Sequence, residues 1–277
     1  MKLIYQIALF SYTILIRIAS LFNHKAKLWL KGRKNSFPYL ETQIKKEDQI
    51  IWFHCASLGE FEQGKPLMEK IKNLHPEYKL LVTFFSPSGY EYRKDNPLIN
   101  YVCYLPIDSK KNARKFIELV NPKQAYFVKY EFWYYYLANL HQQNIPTYLI
   151  SGVFRANQPF FKWYGGFNRK MLSFFTRFFI QNKVSVDLLN SIGFNNVTQS
   201  GDTRIDRVYE NSQSPTPLPI IEKFTNKKPT IIIGSSWEKE EEIISTYIQT
   251  TDKEFNYIIA PHDVSKAHID NLITTLD

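Results

Sequence analysis

Two acids in this sequence stand where a carboxylate can act on a proton. Glu60 lies in the run Ala56-Ser57-Leu58-Gly59-Glu60-Phe61-Glu62, after the apolar segment Ile50–Cys55 and before a helical pattern that puts Gly64, Leu67, Met68, Ile71 and Leu74 on one face. Glu131 follows the apolar run ending at Val128 and precedes the aromatic pair Phe132-Trp133. A carboxylate within hydrogen-bond reach of a hydroxyl can take its proton as a new bond forms. A structural reading stands beside the chemical one. Ser57 and Glu60 have capping-box spacing, and Glu131 can serve a helix N-terminus or, if partly buried, will need a partner or a proton.

Other turns carry weaker signals. In Ser86-Pro87-Ser88-Gly89, Ser86 can cap and Pro87 suits the first helical position, which leaves a helix N-terminus suited to a phosphate or sugar oxygen. Between Phe132 and Val186 there is no Asp or Glu, whereas Arg155, Lys162, Arg169, Lys170, Arg177 and Lys183 are present. The same stretch holds Phe160, Phe161, Trp163, Tyr164, Phe167, Phe174 and Phe175. Part of this is expected in the core, and the combination also suits a surface that meets lipid headgroups.

These turns need elements to hold them. Strands are expected at 50–55, 79–84, 101–105, 124–129, 146–150, 177–181 and 196–200, with helices at about 60–74, 87–94, 109–120, 132–143 and 183–192. Such alternation predicts an α/β fold with a parallel sheet and helices on both faces, its ligands at the carboxyl ends of the strands. Ser200-Gly201-Asp202-Thr203-Arg204 closes the first sheet, and the proline-rich stretch 211–219 reads as a linker. Beyond it come a strand at Thr230–Ile233, the turn Gly234-Ser235-Ser236-Trp237, a helix from about Glu238 to Thr250, a strand at Tyr257–Ala260 and then Pro261-His262-Asp263. This second unit is short for an independent domain.

The net charge of +9, from 35 Lys and Arg against 26 Asp and Glu, favours an anionic partner: nucleic acid, an acidic membrane or a phosphorylated substrate. No nucleic-acid motif is present, and nucleic acid is set aside as a partner. The two cysteines, Cys55 and Cys103, both fall in strands, and with no CxxC or HExxH a metal site is not expected. Leu3 to Phe22 is long and apolar enough to span a bilayer, with Arg17 its only charge. Gln6, Thr13, Arg17 and Ser20 share one face, so a helix lying in the interface or packing that stripe on protein fits equally well. Lys25, Lys27, Lys31, Arg33 and Lys34 follow as a basic flank, which marks a cytoplasmic side and suits anionic lipids.

Taken in order, these turns resemble the 3-deoxy-D-manno-octulosonic acid (Kdo) transferases of lipopolysaccharide assembly. The matching motifs are Ser57-Leu58-Gly59-Glu60, Thr83 with Ser86, Ser88 and Gly89, Leu105-Pro106-Ile107-Asp108, Glu131-Phe132-Trp133 with Arg155, Gly201-Asp202-Thr203-Arg204-Ile205-Asp206, and Ser235-Ser236 with Glu240 and Glu241. Two positions depart from the family: Pro261-His262-Asp263 stands where Pro-Arg-His is common, and Trp133-Tyr134-Tyr135 where Trp-Pro-Asn is common.

The resemblance implies a GT-B fold. Residues 1–34 would form a membrane-associated helix and basic flank, 35–210 a complete N-terminal Rossmann-like acceptor domain, 211–219 a linker, and 220–277 part of a C-terminal nucleotide-sugar domain that continues further in the family. It implies inverting transfer of Kdo from CMP-Kdo to lipid A precursor (lipid IVA), without a divalent metal or other cofactor, on the cytoplasmic face of the bacterial inner membrane with its anionic lipids. Glu60 would be the general base and Glu131 its companion. Ser57, Gly59, Thr83, Ser88, Gly89 and Arg155 would bind the acceptor, and Arg204, Ser235, Ser236, Glu240, Glu241 and His262 the donor. Two alternatives remain: a GT-B transferase using another nucleotide sugar, and a non-catalytic membrane protein that holds acidic lipid.

Overall fold

Apolar runs too short for helices and bounded by turn residues pair side by side in the computed structural model, which describes residues 1–213, 215 and 217–276. Ser214 and Thr216 of the expected linker, and Asp277, lie outside the described residues. The chain divides into two units, Met1–Ser212 and Gln213–Asp277.

The first unit opens with α1 (Lys2–Ala19) and α2 (His24–Gln43), followed by β1 (Gln49–Cys55), α3 (Leu58–Leu74), β2 (Tyr78–Phe84), α4 (Pro87–Arg93) and β3 (Tyr101–Tyr104). It continues through α5 (Lys110–Val120), β4 (Gln124–Val128), α6 (Tyr134–Gln142), β5 (Thr147–Gly152) and α7 (Gly166–Leu172). The last elements are β6 (Arg177–Ile180), α8 (Lys183–Ser191), β7 (Val197–Gln199) and α9 (Thr203–Gln213). All seven strands are parallel, in the order β3-β2-β1-β4-β5-β6-β7. The chain builds outward from β1 to β3, then crosses back to lay β4 on the other side of β1. The strand order therefore reverses between β1 and β4, the place where open α/β sheets take ligands at the carboxyl ends of their strands.

Alternation along β1 sends Ile50 and Trp52 into one layer, with Phe116, Phe127 and Tyr136, and Ile51, Phe53 and Cys55 into the other, with Phe61 and Met68 of α3. Both faces are covered, as a parallel sheet requires. The register sets His54 level with Thr83 of β2 on one side and Phe127 of β4 on the other.

Several expectations are corrected here. The boundary expected at residue 34 falls inside α2, whose N-terminus is capped by Asn23 accepting from the Ala26 N–H at 3.1 Å. The basic flank is thus part of a helix, and Arg33 is only 8% exposed. Its guanidinium lies 3.6 Å from the Trp29 ring centroid and 4.6 Å from that of Phe85, and it donates to the Phe85 carbonyl at 2.8 Å. Burial among these rings lowers its pKa to about 9. Most of the aromatic stretch is core: Phe160 and Phe175 are buried and Phe161, Phe167 and Phe174 pack against them, which leaves Trp163 at 92% and Tyr164 at 55% exposure. Arg169 donates to the Phe160 and Lys162 carbonyls, so it shapes this loop and is not free to meet lipid.

Helix α1 has 18 residues, a mean hydropathy of 1.4 and no buried residue, and is long and apolar enough to cross a membrane. It lies against the first unit through Tyr5 and Tyr12, seven residues apart and so on one face. The Tyr5 hydroxyl donates to Asp108 at 2.6 Å, and Tyr12 packs on Trp29 and Phe85. Gln6, Thr13 and Arg17 line a groove with Ile107, Asp108 and Ser109. The polar stripe thus faces protein, while Leu3, Ile4, Ile7, Phe10, Leu15 and Ile18 stay exposed.

The second unit holds α10 (Pro219–Thr225), β8 (Thr230–Ser236), α11 (Glu238–Thr250), β9 (Asn256–Pro261) and α12 (Lys266–Leu276), with β8 and β9 paired in parallel. The stretch expected as a linker contains the end of α9 and the first residue of α10.

Asp108 accepts from Tyr5 and from the backbone N–H groups of Tyr135 and Tyr136 at 3.0 and 3.1 Å, so it caps α6 from a distant loop and ties α1 to it. Burial outweighs these three donors and raises its pKa to about 6. The folded state therefore holds this proton more tightly than the unfolded chain does. The resulting stability is fully present below about pH 4 and is lost as pH rises through 6, a difference of roughly 3 kcal/mol. Urea unfolding between pH 4 and 7 should show this downward slope in the wild type and its loss in Asp108→Asn.

Candidate active site

Glu60, in the first turn of α3, and Glu131, in the loop after β4, follow the two strands that flank the reversal in strand order. Both carboxylates reach the end of β1: after burial, their charges are the next causes that raise the Cys55 thiol pKa well above its usual value. The sheet thus brings together two acids 71 positions apart in the sequence (131 minus 60).

The capping box expected at Ser57 does not form. The Ser57 carbonyl accepts from the Phe61 N–H at 3.1 Å, as at any helix start, but its side chain caps no backbone group. The Ser57 hydroxyl donates to Glu60 Oε2 instead. Glu60 is half-buried, with no cation bonded to it among the described residues. Gly59 beside it is exposed, and a Cβ there would meet nothing closer than Ser57 Oγ at 3.8 Å. The fold does not demand glycine at this point, and the space above it is open.

Glu131 is held differently. Lys129 takes a left-handed backbone (φ 64°) where β4 ends, with its N–H on the Ile150 carbonyl at 2.9 Å, which turns the chain sharply before the acid. Glu131 Oε2 then lies 2.8 Å from Trp133 Nε1 and 3.0 Å from His54 Nε2, with its side chain 13% exposed. The arrangement offers one carboxylate bonded only to a hydroxyl and a second held between an indole N–H and a histidine ring nitrogen. The first can accept a proton, while the second can orient a substrate or offset charge.

The remaining acceptor candidates separate. Ser88 is exposed, 2.8 Å from the Ser86 hydroxyl, on a turn tied to the Glu60 loop by the Ser86 N–H on the Ala56 carbonyl at 2.7 Å. Arg155 is exposed on the loop after β5. Thr83 and Gly89 are closed off from an acceptor by burial. Thr83 is fully buried with its hydroxyl bonded to Trp52 and His54, and Gly89 is buried because a Cβ would sit 2.2 Å from the Phe84 ring. His54 and Trp133 carried no assigned role in the sequence reading. The one available signal was their place, at the last turns of β1 and directly after Glu131.

Of the donor candidates, Arg204 belongs to the first unit, where Nε and Nη2 engage Asp202 at 2.6 to 3.1 Å, so its charge is already paired. The others lie in the second unit. Glu240 accepts from the Trp237 N–H at 2.8 Å and thus occupies an amide that a phosphate would use at the N-terminus of α11. Glu241 is buried between the Ser236 hydroxyl (2.8 Å) and His268 Nε2 (3.1 Å). These three residues support the turn. Ser235 and His262 stay exposed at the carboxyl ends of β8 and β9, 3.1 Å apart, with the Trp237 ring stacked on His262 at 4.1 Å. Among the described residues no group of three His, Cys, Asp or Glu side chains is placed to hold a metal ion.

A parallel Rossmann-like sheet with its acids at the reversal of strand order, followed by a second βαβ unit, defines a GT-B-type protein. The family model for 3-deoxy-D-manno-octulosonic-acid transferase (kdotransferase) matches residues 31–207, and the chain belongs to that family. It is 35% identical over 102 residues to the 3-deoxy-D-manno-octulosonic acid transferase of Aquifex aeolicus, covering 36% of this chain and 27% of the relative. It is 20% identical over 239 residues to that of Rickettsia typhi, covering 84% and 51%, and 24% identical over 238 residues to a bifunctional glycosyltransferase/methyltransferase of Fusobacterium nucleatum, covering 82% and 37%. The chain thus spans about half or less of the length of these curated relatives. A solved UDP-GlcNAc 2-epimerase from Neisseria meningitidis shares the fold at a TM-score of 0.55 and 13% identity, over 83% of this chain and 71% of that one.

The two glycines separate packing from access. Gly89→Ala should lower stability by roughly 1 to 3 kcal/mol in denaturant unfolding because its methyl overlaps Phe84, whereas Gly59→Ala should stay within about 0.5 kcal/mol of wild type.

Proposed function

We propose that this chain provides the acceptor-binding part of an inverting glycosyltransferase that moves Kdo from CMP-Kdo to a lipid A precursor. The observation that carries the reading is the pair of acids, Glu60 and Glu131, at the reversal of strand order in a chain of the Kdo transferase family. Glu60 is the general base. As the acceptor hydroxyl oxygen bonds to the anomeric carbon of Kdo, its proton passes to the Glu60 carboxylate, and the bond from that carbon to the phosphate breaks, leaving CMP with the electron pair. Attack from the face opposite CMP inverts the anomeric centre.

Ser57, beside Glu60, holds the carboxylate until the acceptor hydroxyl replaces that contact. Glu131, held by Trp133 and His54, orients the acceptor through its other oxygen. Gly59 leaves room for the sugar, and Ser88 and Arg155 supply polar contacts to the acceptor, Arg155 as the cation for a phosphate. Ser235 and His262 at the strand ends of the second unit receive the CMP-Kdo donor, and no resident metal takes part. The exposed apolar face of α1 seats the protein on the cytoplasmic face of the inner membrane, lying in the interface because Tyr5 and Tyr12 pin the opposite face to protein.

The test is transfer from CMP-Kdo to tetraacylated lipid A precursor by the protein carried to the natural stop of its reading frame. Glu60→Gln should lower kcat by about 10²- to 10⁴-fold with the fold retained. Unchanged turnover would remove Glu60 from the base role. A wild-type protein that ignores CMP-Kdo but uses another nucleotide sugar would overturn the donor assignment, and one that transfers nothing yet binds the acidic lipid would overturn the enzyme reading.

A further inference from the structure

His54 is fully buried at the end of β1, and both ring nitrogens meet polar partners. Nδ1 lies 2.9 Å from the Thr83 hydroxyl and 3.1 Å from the Thr83 carbonyl, and Nε2 lies 3.0 Å from Glu131 Oε2 and 3.0 Å from Trp133 Nε1. The Thr83 hydroxyl in turn lies 2.8 Å from Trp52 Nε1. Indole nitrogens only donate, and this sets the direction of the bonds. Trp52 donates to the Thr83 oxygen, so the Thr83 proton is free to point at His54 Nδ1; its other acceptor, the Phe53 carbonyl, is farther away at 3.4 Å. Trp133 likewise donates, to Glu131 Oε2 at 2.8 Å and towards His54 Nε2 at 3.0 Å, so indole, imidazole and carboxylate meet in one triangle of contacts.

We infer that His54 is the positioning residue of Glu131, the last link of a buried polar chain from Trp52 through Thr83 that fixes Glu131 Oε2 and leaves Oε1 for the acceptor. The inference rests on the role proposed above for Glu131. No described residue bonds Oε1. The polar chain starts and ends on rigid aromatic donors, and His54 is held level with Thr83 by the β1–β2 register, so the carboxylate is placed by the sheet itself and not by a loop. Buried polar chains of this kind are costly when one member is lost, because the remaining groups have no water to turn to. That cost explains why a fully buried histidine is kept at the end of this strand.

Two measurements on the full-length protein test this, and they separate it from the activity reading. With ¹⁵N-labelled histidine, long-range proton–nitrogen spectra should show the His54 ring nitrogens, identified by their loss in His54→Gln, shifting in Glu131→Gln. Ring signals that Glu131→Gln leaves unmoved overturn the link whether or not the protein is active. In transfer assays with CMP-Kdo and lipid A precursor, His54→Phe should lower kcat by about 10- to 100-fold, as expected for a misplaced group. His54→Gln, which restores an N–H near the Nε2 position, should recover most of that loss. In a Glu131→Gln background the same His54→Phe change should cost less than about twofold more, because the two residues act as one unit. Additive losses would make His54 merely structural and overturn the inference. Full activity of Glu131→Gln would overturn both the inference and the role given to Glu131, while inactive wild type would overturn the proposed function and leave the His54 ring signals to decide the link.

Discussion

The pairing of β1 with β2 on one side and β4 on the other is the constraint on which the rest of the first unit depends. β1 is buried on both faces from Ile50 onward, so a one-residue slip would carry Trp52 and Phe53 into the wrong layers. The same register sets His54 level with Thr83 and brings the ends of β1 and β4 side by side. From that arrangement alone Glu60, in the first turn of α3, and Glu131, in the loop after β4, come to the same end of the sheet. Packing energy from the core is thus the agent that assembles the polar site, although no hydrophobic residue takes part in the chemistry.

A second consequence concerns α1. Its apolar outer face would be a liability on a freely soluble protein, yet its inner face is specific: Tyr5 meets Asp108, which also caps α6, and Tyr12 stacks within the box that encloses Arg33. The loop after β3, the start of α6 and α1 are therefore joined through one carboxylate. Trp133, at the N-cap of α6, contacts Glu131, so the surface proposed to meet lipid and the acid proposed to orient the lipid's sugar share a helix end.

The sequence carried the sheet more fully than the site. Seven strands and five crossover helices follow from apolar runs of strand length set between turn residues and helical stripes. α2 escaped because cations crowd its first half and its buried residues, such as Trp29 and Leu40, are widely spaced. The aromatic stretch after Phe154 read as a possible lipid surface because composition cannot tell a core aromatic from an exposed one, and only Trp163 and Tyr164 proved exposed. Ser57 and Glu60 matched a capping box by spacing, but the side chain turned to the acid and away from the backbone. Glu131 was visible as a strand-end acid, whereas its bond to His54 spans 77 residues and exists only once β1 and β4 are adjacent. In the second unit, Glu240 and Glu241 matched a motif and serve the turn.

The most direct measurement is the position of the acceptor in a crystal structure of the protein with a lipid A precursor. The account predicts the attacking hydroxyl about 2.6 to 3.2 Å from a Glu60 carboxylate oxygen, with Glu131 Oε1 on the same sugar and Oε2 still on His54 and Trp133. An acceptor bound away from the ends of β1 and β4, with Glu60 still on Ser57, would contradict it.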